Sequence, residues 1–171
     1  MTIEVRLLDE LARRDSFDCG VPSLDDWLKH QAGQAQRKRL ASVWIATATE
    51  DPSRVLGFYS LAPWQITFQD CPPALRKRLP RYPIHGTLIA RLAVASSEQG
   101  QGLGSVLLVD ALRRIWKASE SVPVQAAIVH ALDDGAAEFY RLHGFLAFPE
   151  NPRHRFLPMK TVADLFEAGS E

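Results

Sequence analysis

The stretch that most constrains this chain is Gln99-Gly100-Gln101-Gly102-Leu103-Gly104, set between an apolar run from Leu88 to Ala95 and a helix-like run from Leu103 onward. Glycines at alternate positions let the backbone turn tightly and leave its N–H groups unshielded by any Cβ. A helix opening directly after such a turn presents about half a positive charge at its N-terminus, so the junction suits an anion, most simply phosphate. The spacing narrows the choice. A nucleoside-triphosphate loop ends in Gly-Lys-Ser/Thr, whereas Gly104 is followed directly by Ser105. A dinucleotide fingerprint reads G-x-G-x-x-G, and here the third glycine arrives one residue early. What remains is Q-x-x-G-x-G between a strand and a helix, with an unliganded glycine turn as the alternative.

The 171 residues suffice for one domain, residues 1–171, burying roughly 70% of the unfolded surface. No apolar run approaches the ~20 residues of a membrane span, and Met-Thr-Ile-Glu-Val-Arg at the start lacks a signal-peptide core. The expectation is a cytoplasmic protein with no membrane association. In that compartment Cys19 and Cys71 read as thiols. No Cys/His cluster has metal-ligand spacing, so no metal is expected. The zero net charge hides a segregation: Trp27 to Ser97 holds ten Lys/Arg against three acids. A basic face able to meet a polyanion follows from that excess.

Periodicity supplies the element order. Ile3 to Leu8 reads as a strand. Ser23 with Asp26 resembles a capping box for a helix carrying Leu24, Trp27 and Leu28 on one face and running toward Arg39, with Gly33 as its weak point. Val43–Ala46 and Val55–Ile66 form a hairpin, with a bulge or frayed end at Pro63. A short basic helix spans Ala74 to Leu79, and Thr87–Ala95 is the central strand. Leu103, Leu107, Leu108, Ala111, Leu112 and Ile115 make the apolar stripe of the next helix. Val122–Ala131 is a strand; Asp133 and Asp134 open a helix that Gly144 closes; Phe145–Phe148 and His154–Met159 are closing strands. The fold class is α/β (α+β), a central mixed sheet flanked by helices.

Leu92-Ala93-Val94 before the loop, QGQGLG in it, Leu107-Leu108 in the following helix and Phe139-Tyr140 ahead of Gly144-Phe145 together resemble the GNAT superfamily of acyl-CoA N-acyltransferases. FDCG and LDDWL near the N-terminus, GFYSLAP, TLIARLAV and VHALDDGAAEFY resemble more narrowly the TacT/AtaT type, toxins of type II toxin–antitoxin pairs. Ala95 departs from that pattern, where an aspartate is common.

The resemblance implies acetyl-CoA as co-substrate. The backbone of Leu92, Ala93 and Val94 would pair with the pantetheine arm, and the Val94 N–H would polarise the thioester carbonyl. Backbone N–H groups of Gln101, Gly102, Leu103, Gly104 and Ser105 would hold the pyrophosphate, with Gln99 and Gly100 shaping the loop. Tyr140 would be the general acid meeting the CoA thiolate. The implied acceptor is the α-amino group of a charged tRNA, so that acetylation blocks translation. An α-amine near pKa ~7.7–8 is partly neutral at pH 7 and needs no dedicated base. Arg76, Lys77, Arg78, Arg81 and Arg91, with Arg37, Lys38 and Arg39, are the expected tRNA contacts. His154 and Arg155 are further candidates for the CoA 3′-phosphate or RNA. The implied partners are a ribbon-helix-helix antitoxin, operator DNA reached only through it, and a second copy in a homodimer. The alternatives are a GNAT enzyme acting on a protein N-terminus or small amine, and a non-catalytic CoA-binding domain.

Overall fold

The computed structural model describes residues 1–66, 70–77 and 84–167. The elements are β1 (Ile3–Leu7), α1 (Pro22–His30), α2 (Ala32–Arg37), β2 (Ser42–Ala48), β3 (Gly57–Ile66), α3 (Pro73–Arg76), β4 (Ile84–Val94), α4 (Leu103–Ala118), β5 (Ala126–His130), α5 (Asp134–Leu142), β6 (Leu146–Phe148), β7 (Asn151–Pro158) and α6 (Met159–Glu167). Seven strands form one mixed sheet in the order β1-β2-β3-β4-β5-β7-β6. The β4–β5 pair is parallel, and its register runs from Gly86↔Ala126 to Ile89↔Val129. Strand β4 continues five residues further, to Val94.

The chain divides into two compact units. The first comprises Met1–Ala62 and Ala90–Ala111. Its core is aromatic: Phe58 stacks on Trp27 with centroids 6.0 Å apart and meets the edge of Phe17 at 5.5 Å. Leu28, Val43 and Ile45 complete it, all fully buried. The apolar stripe expected for α4 is buried at all six positions. Gly57 is required by proximity. A Cβ there would stand 2.8 Å from the Ala93 carbonyl oxygen and 2.9 Å from Leu107 Cδ1.

The second unit comprises Pro63–Ile89 and Leu112–Glu171. Ala126 to Val129 of β5 are wholly buried, with Phe145 and Phe156 beside them in the core. Asp133 caps α5 by accepting the Ala136 N–H at 2.8 Å, and Gly144 leaves the helix at φ +92°, as its sequence position predicts.

Four local expectations are corrected. Helix α1 begins at Pro22 with Val21 at the cap, so Ser23 caps nothing; proline suits the first turn because its missing N–H has no partner there. Asp25 instead turns inward and accepts the Cys19 N–H at 2.9 Å. The single helix toward Arg39 breaks at Gln31, not at Gly33. Past that break Gln36 ties α2 to the strands, donating to the Leu8 carbonyl and accepting from the Val43 N–H, both at 2.9 Å. Strand β3 does not fray at Pro63 but runs on to Ile66. Helix α6, absent from the sequence reading, follows β7 without a turn and stacks Phe166 on Trp116 at 5.4 Å. Of the basic helix expected over 74–79, residues 73–76 are helical and the rest of the segment from 78 to 83 lies outside the described residues.

Gly57→Ala is expected to destabilise the protein by about 1–3 kcal/mol, the usual penalty for overpacking, seen as a lowered Tm. An unchanged melt would show that the Ala93 carbonyl and Leu107 yield freely.

Candidate active site

The glycine loop is built from its first residue. The Gln99 side-chain amide donates to the carbonyl oxygens of Val94 and Cys19, both at 2.9 Å, so the loop is tied to the end of β4. Gly100 and Gly102 then adopt φ +80° and +87°, a region that a side chain makes unfavourable. Nothing lies within 4 Å of either missing Cβ, so the turn presents bare backbone to solvent. Leu103 starts the 16-residue α4, whose first turn carries no acid. The first N–H groups of a helix have no partner within it, and here the first turn brings no carboxylate of its own to them. The arrangement suits a phosphate or pyrophosphate.

Upstream, β4 carries Leu92, Ala93 and Val94. The Ala93 side chain is buried, whereas Leu92 and Val94 are half-buried. The next amide, of Ala95, donates to the Leu56 carbonyl at 2.8 Å, which anchors the strand end.

Tyr140 sits on α5 in the second unit, 6% exposed. Its ring meets the edges of Phe139 at 5.2 Å and Phe145 at 5.6 Å. Burial pushes its phenol well above the ordinary tyrosine range, so it is a stable O–H donor at neutral pH. Such a group can hydrogen-bond a developing anion. Full transfer of its proton to a thiolate near pKa ~8.5 is more uphill here than for an ordinary tyrosine.

The basic residues divide. Arg91 lays its guanidinium over the Trp27 ring, 4.0 Å from the centroid. The two residues line a groove of about 330 Å³ with Gln31, Gln34 and Lys38. Lys38 and Arg91, far apart in sequence, thus share one concave surface. Arg76 and Lys77 are exposed on and just after α3, while Arg78 and Arg81 lie outside the described residues. Arg155 donates to the Pro152 carbonyl at 3.0 Å and the Phe145 carbonyl at 3.1 Å. His154 stacks on His130 at 3.8 Å, and the described residues around the pair include the carboxylates of Asp70 and Glu150. His130 and Trp64 were not singled out from sequence. The available signal was a histidine ending an otherwise apolar strand. Among the described residues no group of His, Cys, Asp and Glu could hold a metal ion.

Comparison with known proteins agrees with this geometry. The profile of the acetyltransferase (GNAT) domain matches residues 39–146. The chain is 41% identical over 150 residues to a tRNA-acetylating toxin of Mycobacterium tuberculosis, covering 88% of each. It superposes on AtaT complexed with acetyl-methionyl-tRNAfMet with a TM-score of 0.88 at 28% identity, covering 96% of this chain and 99% of that one. An AtaT mutant toxin bound to the C-terminus of the antitoxin AtaR and acetyl-CoA gives 0.81 at 27% identity, covering 96% and 98%.

The raised pKa of Tyr140 has a direct spectroscopic consequence. The neutral phenol persists as pH rises through 10, where a free tyrosine ionises. Absorbance difference between the native protein and Tyr140→Phe is therefore expected to show no phenolate below about pH 11. A tyrosine titrating near 10 in the first and missing in the second would refute the burial argument.

Proposed function

This chain belongs to the GNAT acetyltransferase family, and from that premise we propose that it is a toxin that moves acetyl from acetyl-CoA to the α-amino group of an aminoacyl-tRNA, so stopping translation. The observation that carries this reading is the 41% identity, along 88% of both chains, to a tRNA-acetylating toxin. The site chemistry is consistent with it. The open turn at Gly100 and Gly102, with the first turn of α4, supplies N–H groups for the pyrophosphate of acetyl-CoA. The backbone of Leu92 to Val94 offers the edge along which the pantetheine arm lies, and the Val94 N–H is assigned to the thioester oxygen.

In the reaction the neutral amine nitrogen forms a bond to the acetyl carbon, the carbon–sulfur bond breaks, and the amine proton passes to solvent. Tyr140 donates a hydrogen bond to the departing sulfur. Because its phenol holds its proton so strongly, it stabilises the thiolate by hydrogen bonding more than by complete transfer. The Trp27–Arg91–Lys38 groove, with Arg76 and Lys77, supplies tRNA phosphate contacts.

Further parts of the reading concern assembly. The protein acts in the cytoplasm as a homodimer, is held inactive by a ribbon-helix-helix antitoxin, and meets operator DNA only through that antitoxin. Among the described residues no helix is long and apolar enough to cross a membrane.

Incubation with acetyl-CoA and total charged tRNA is expected to yield N-acetyl-aminoacyl-tRNA, with Tyr140→Phe lowering kcat by about 10²-fold, the lower end for a positioned acid. Transfer only to peptides or small amines would refute the tRNA assignment, and full activity of Tyr140→Phe would refute its role. Lys38→Ala and Arg91→Ala should each weaken tRNA binding and reduce the slope of log affinity against log salt by about 1. An unaltered slope would remove those residues from the interface.

A further inference from the structure

One buried carboxylate has no part in the reaction as described. Asp25, in the first turn of α1, is 8% exposed, and no other carboxylate among the described residues is buried. Taking such a group out of water costs free energy unless donors replace its hydration. Its described donor is the Cys19 N–H, at 2.9 Å. The next amide, of Gly20, donates at 2.9 Å to the side chain of Asp18, and Gly20 itself takes φ +86°. Two successive peptide units of one turn are thus each held from the N–H side by a carboxylate.

The carbonyls of the same two units face the flank of the glycine loop. The Asp18 carbonyl accepts the Ser96 N–H at 2.8 Å, and the Cys19 carbonyl accepts the Gln99 side-chain amide at 2.9 Å. A peptide unit is a rigid plane whose N–H and C=O point in opposite directions. Fixing the Cys19 N–H therefore fixes where the Asp18 carbonyl points, and the Gly20 N–H does the same for the Cys19 carbonyl. A carboxylate on the N–H makes a charge-assisted bond, and it polarises the unit so that its carbonyl accepts more strongly. From another side Arg54 donates to Ser97 Oγ at 2.8 Å and to Glu98 Oε1 at 3.3 Å. Each residue from Ser96 to Gln99 is thus held, up to the point where bare backbone begins at Gly100.

We propose that the Asp18–Gly20 turn is a clasp for the acetyl-CoA loop, with Asp25 as the positioning residue that sets it. Asp25 acts on acetyl-CoA through two peptide units rather than by contact. With the flank of the loop fixed in advance, the ordering cost falls on folding and not on binding, which raises affinity for the cofactor. The clasp gives FDCG and LDDWL a place in the donor site, although Cys19 lies 80 residues ahead of Gln99. It serves the acetyl-CoA site described above, whichever amine is the acceptor.

Acetyl-CoA titrated into the full-length protein by calorimetry, with no acceptor present, reads the clasp directly. Asp25→Ala should weaken acetyl-CoA about 10-fold, the scale of one hydrogen bond to a charged group. Asp25→Asn keeps an oxygen toward the Cys19 N–H and should restore most of that affinity. Because both side chains act through one turn, Asp25→Ala combined with Gln99→Ala should cost less than the product of the single effects. In the transfer assay Asp25→Ala should raise KM for acetyl-CoA while kcat stays within about 2-fold. A folded Asp25→Ala variant with a lowered Tm but normal acetyl-CoA affinity overturns the clasp, as do fully multiplicative effects. If Asp25→Ala does not fold, Gly20→Ala decides. That position is exposed and its missing Cβ has ordinary contact distance to Ser96, so only the positive φ is disturbed. It should weaken acetyl-CoA about 3-fold or more, and unchanged affinity overturns the clasp. Weakened acetyl-CoA binding in these variants, with no transfer to charged tRNA by the unaltered protein, upholds the clasp and overturns the acceptor instead.

Discussion

One side-chain amide holds the glycine loop of this protein in place. Gln99 donates to both the Val94 and Cys19 carbonyls, so the turn that follows leaves β4 in a set direction. Without that bridge, positive-φ glycines at 100 and 102 would make a flexible hinge, since glycine loses more freedom on ordering than any other residue. With it, the bare backbone of Gly100 and Gly102 feeds straight into α4, and the buried leucine stripe of α4 fixes where the helix N-terminus points. The anion site is therefore a property of backbone geometry. It needs no lysine, so a loop lacking Gly-Lys-Ser/Thr still suits a pyrophosphate.

The ionisable groups divide by environment. Arg91 lies on the Trp27 ring in a groove that Lys38 also lines, and such stacking leaves a guanidinium free to keep its in-plane donors. Acids gather around the Trp64–His130–His154 wall. Tyr140 stands apart from both as a buried neutral donor, its phenol kept protonated by desolvation. Cys19, pushed up to about 11 first by burial and then by the Asp25 carboxylate, is likewise a neutral thiol with no nucleophilic role at neutral pH.

Where local pattern and global packing agree, the sequence was legible. The α4 stripe, the Asp133 cap and the Gly144 exit each follow from spacing and propensity, and each is present. Where a partner remote in sequence decides, it was not. Ser23 looks like a cap, yet Pro22 starts the helix and Asp25 is claimed by Cys19. The break at Gln31 goes with the docking of Gln36 on two strands, a contact spanning 28 residues on one side. Arg155 carries a charge suited to phosphate, and two backbone carbonyls remote in sequence from one another fix where its guanidinium lies. The ring that His154 stacks on likewise lies on another strand.

By itself, the sequence determined the family-level chemistry: a glycine-spaced turn between strand and helix, an apolar helix face, and a Phe-Tyr pair ahead of Gly144. These are short-range patterns, set by backbone sterics and helical periodicity within a few turns. The tertiary structure alone decided which side chains meet, because strand register and helix docking bring together residues that no spacing rule connects. It joined Lys38 to Arg91 on one groove and Trp64 to His130 and His154 around one cavity.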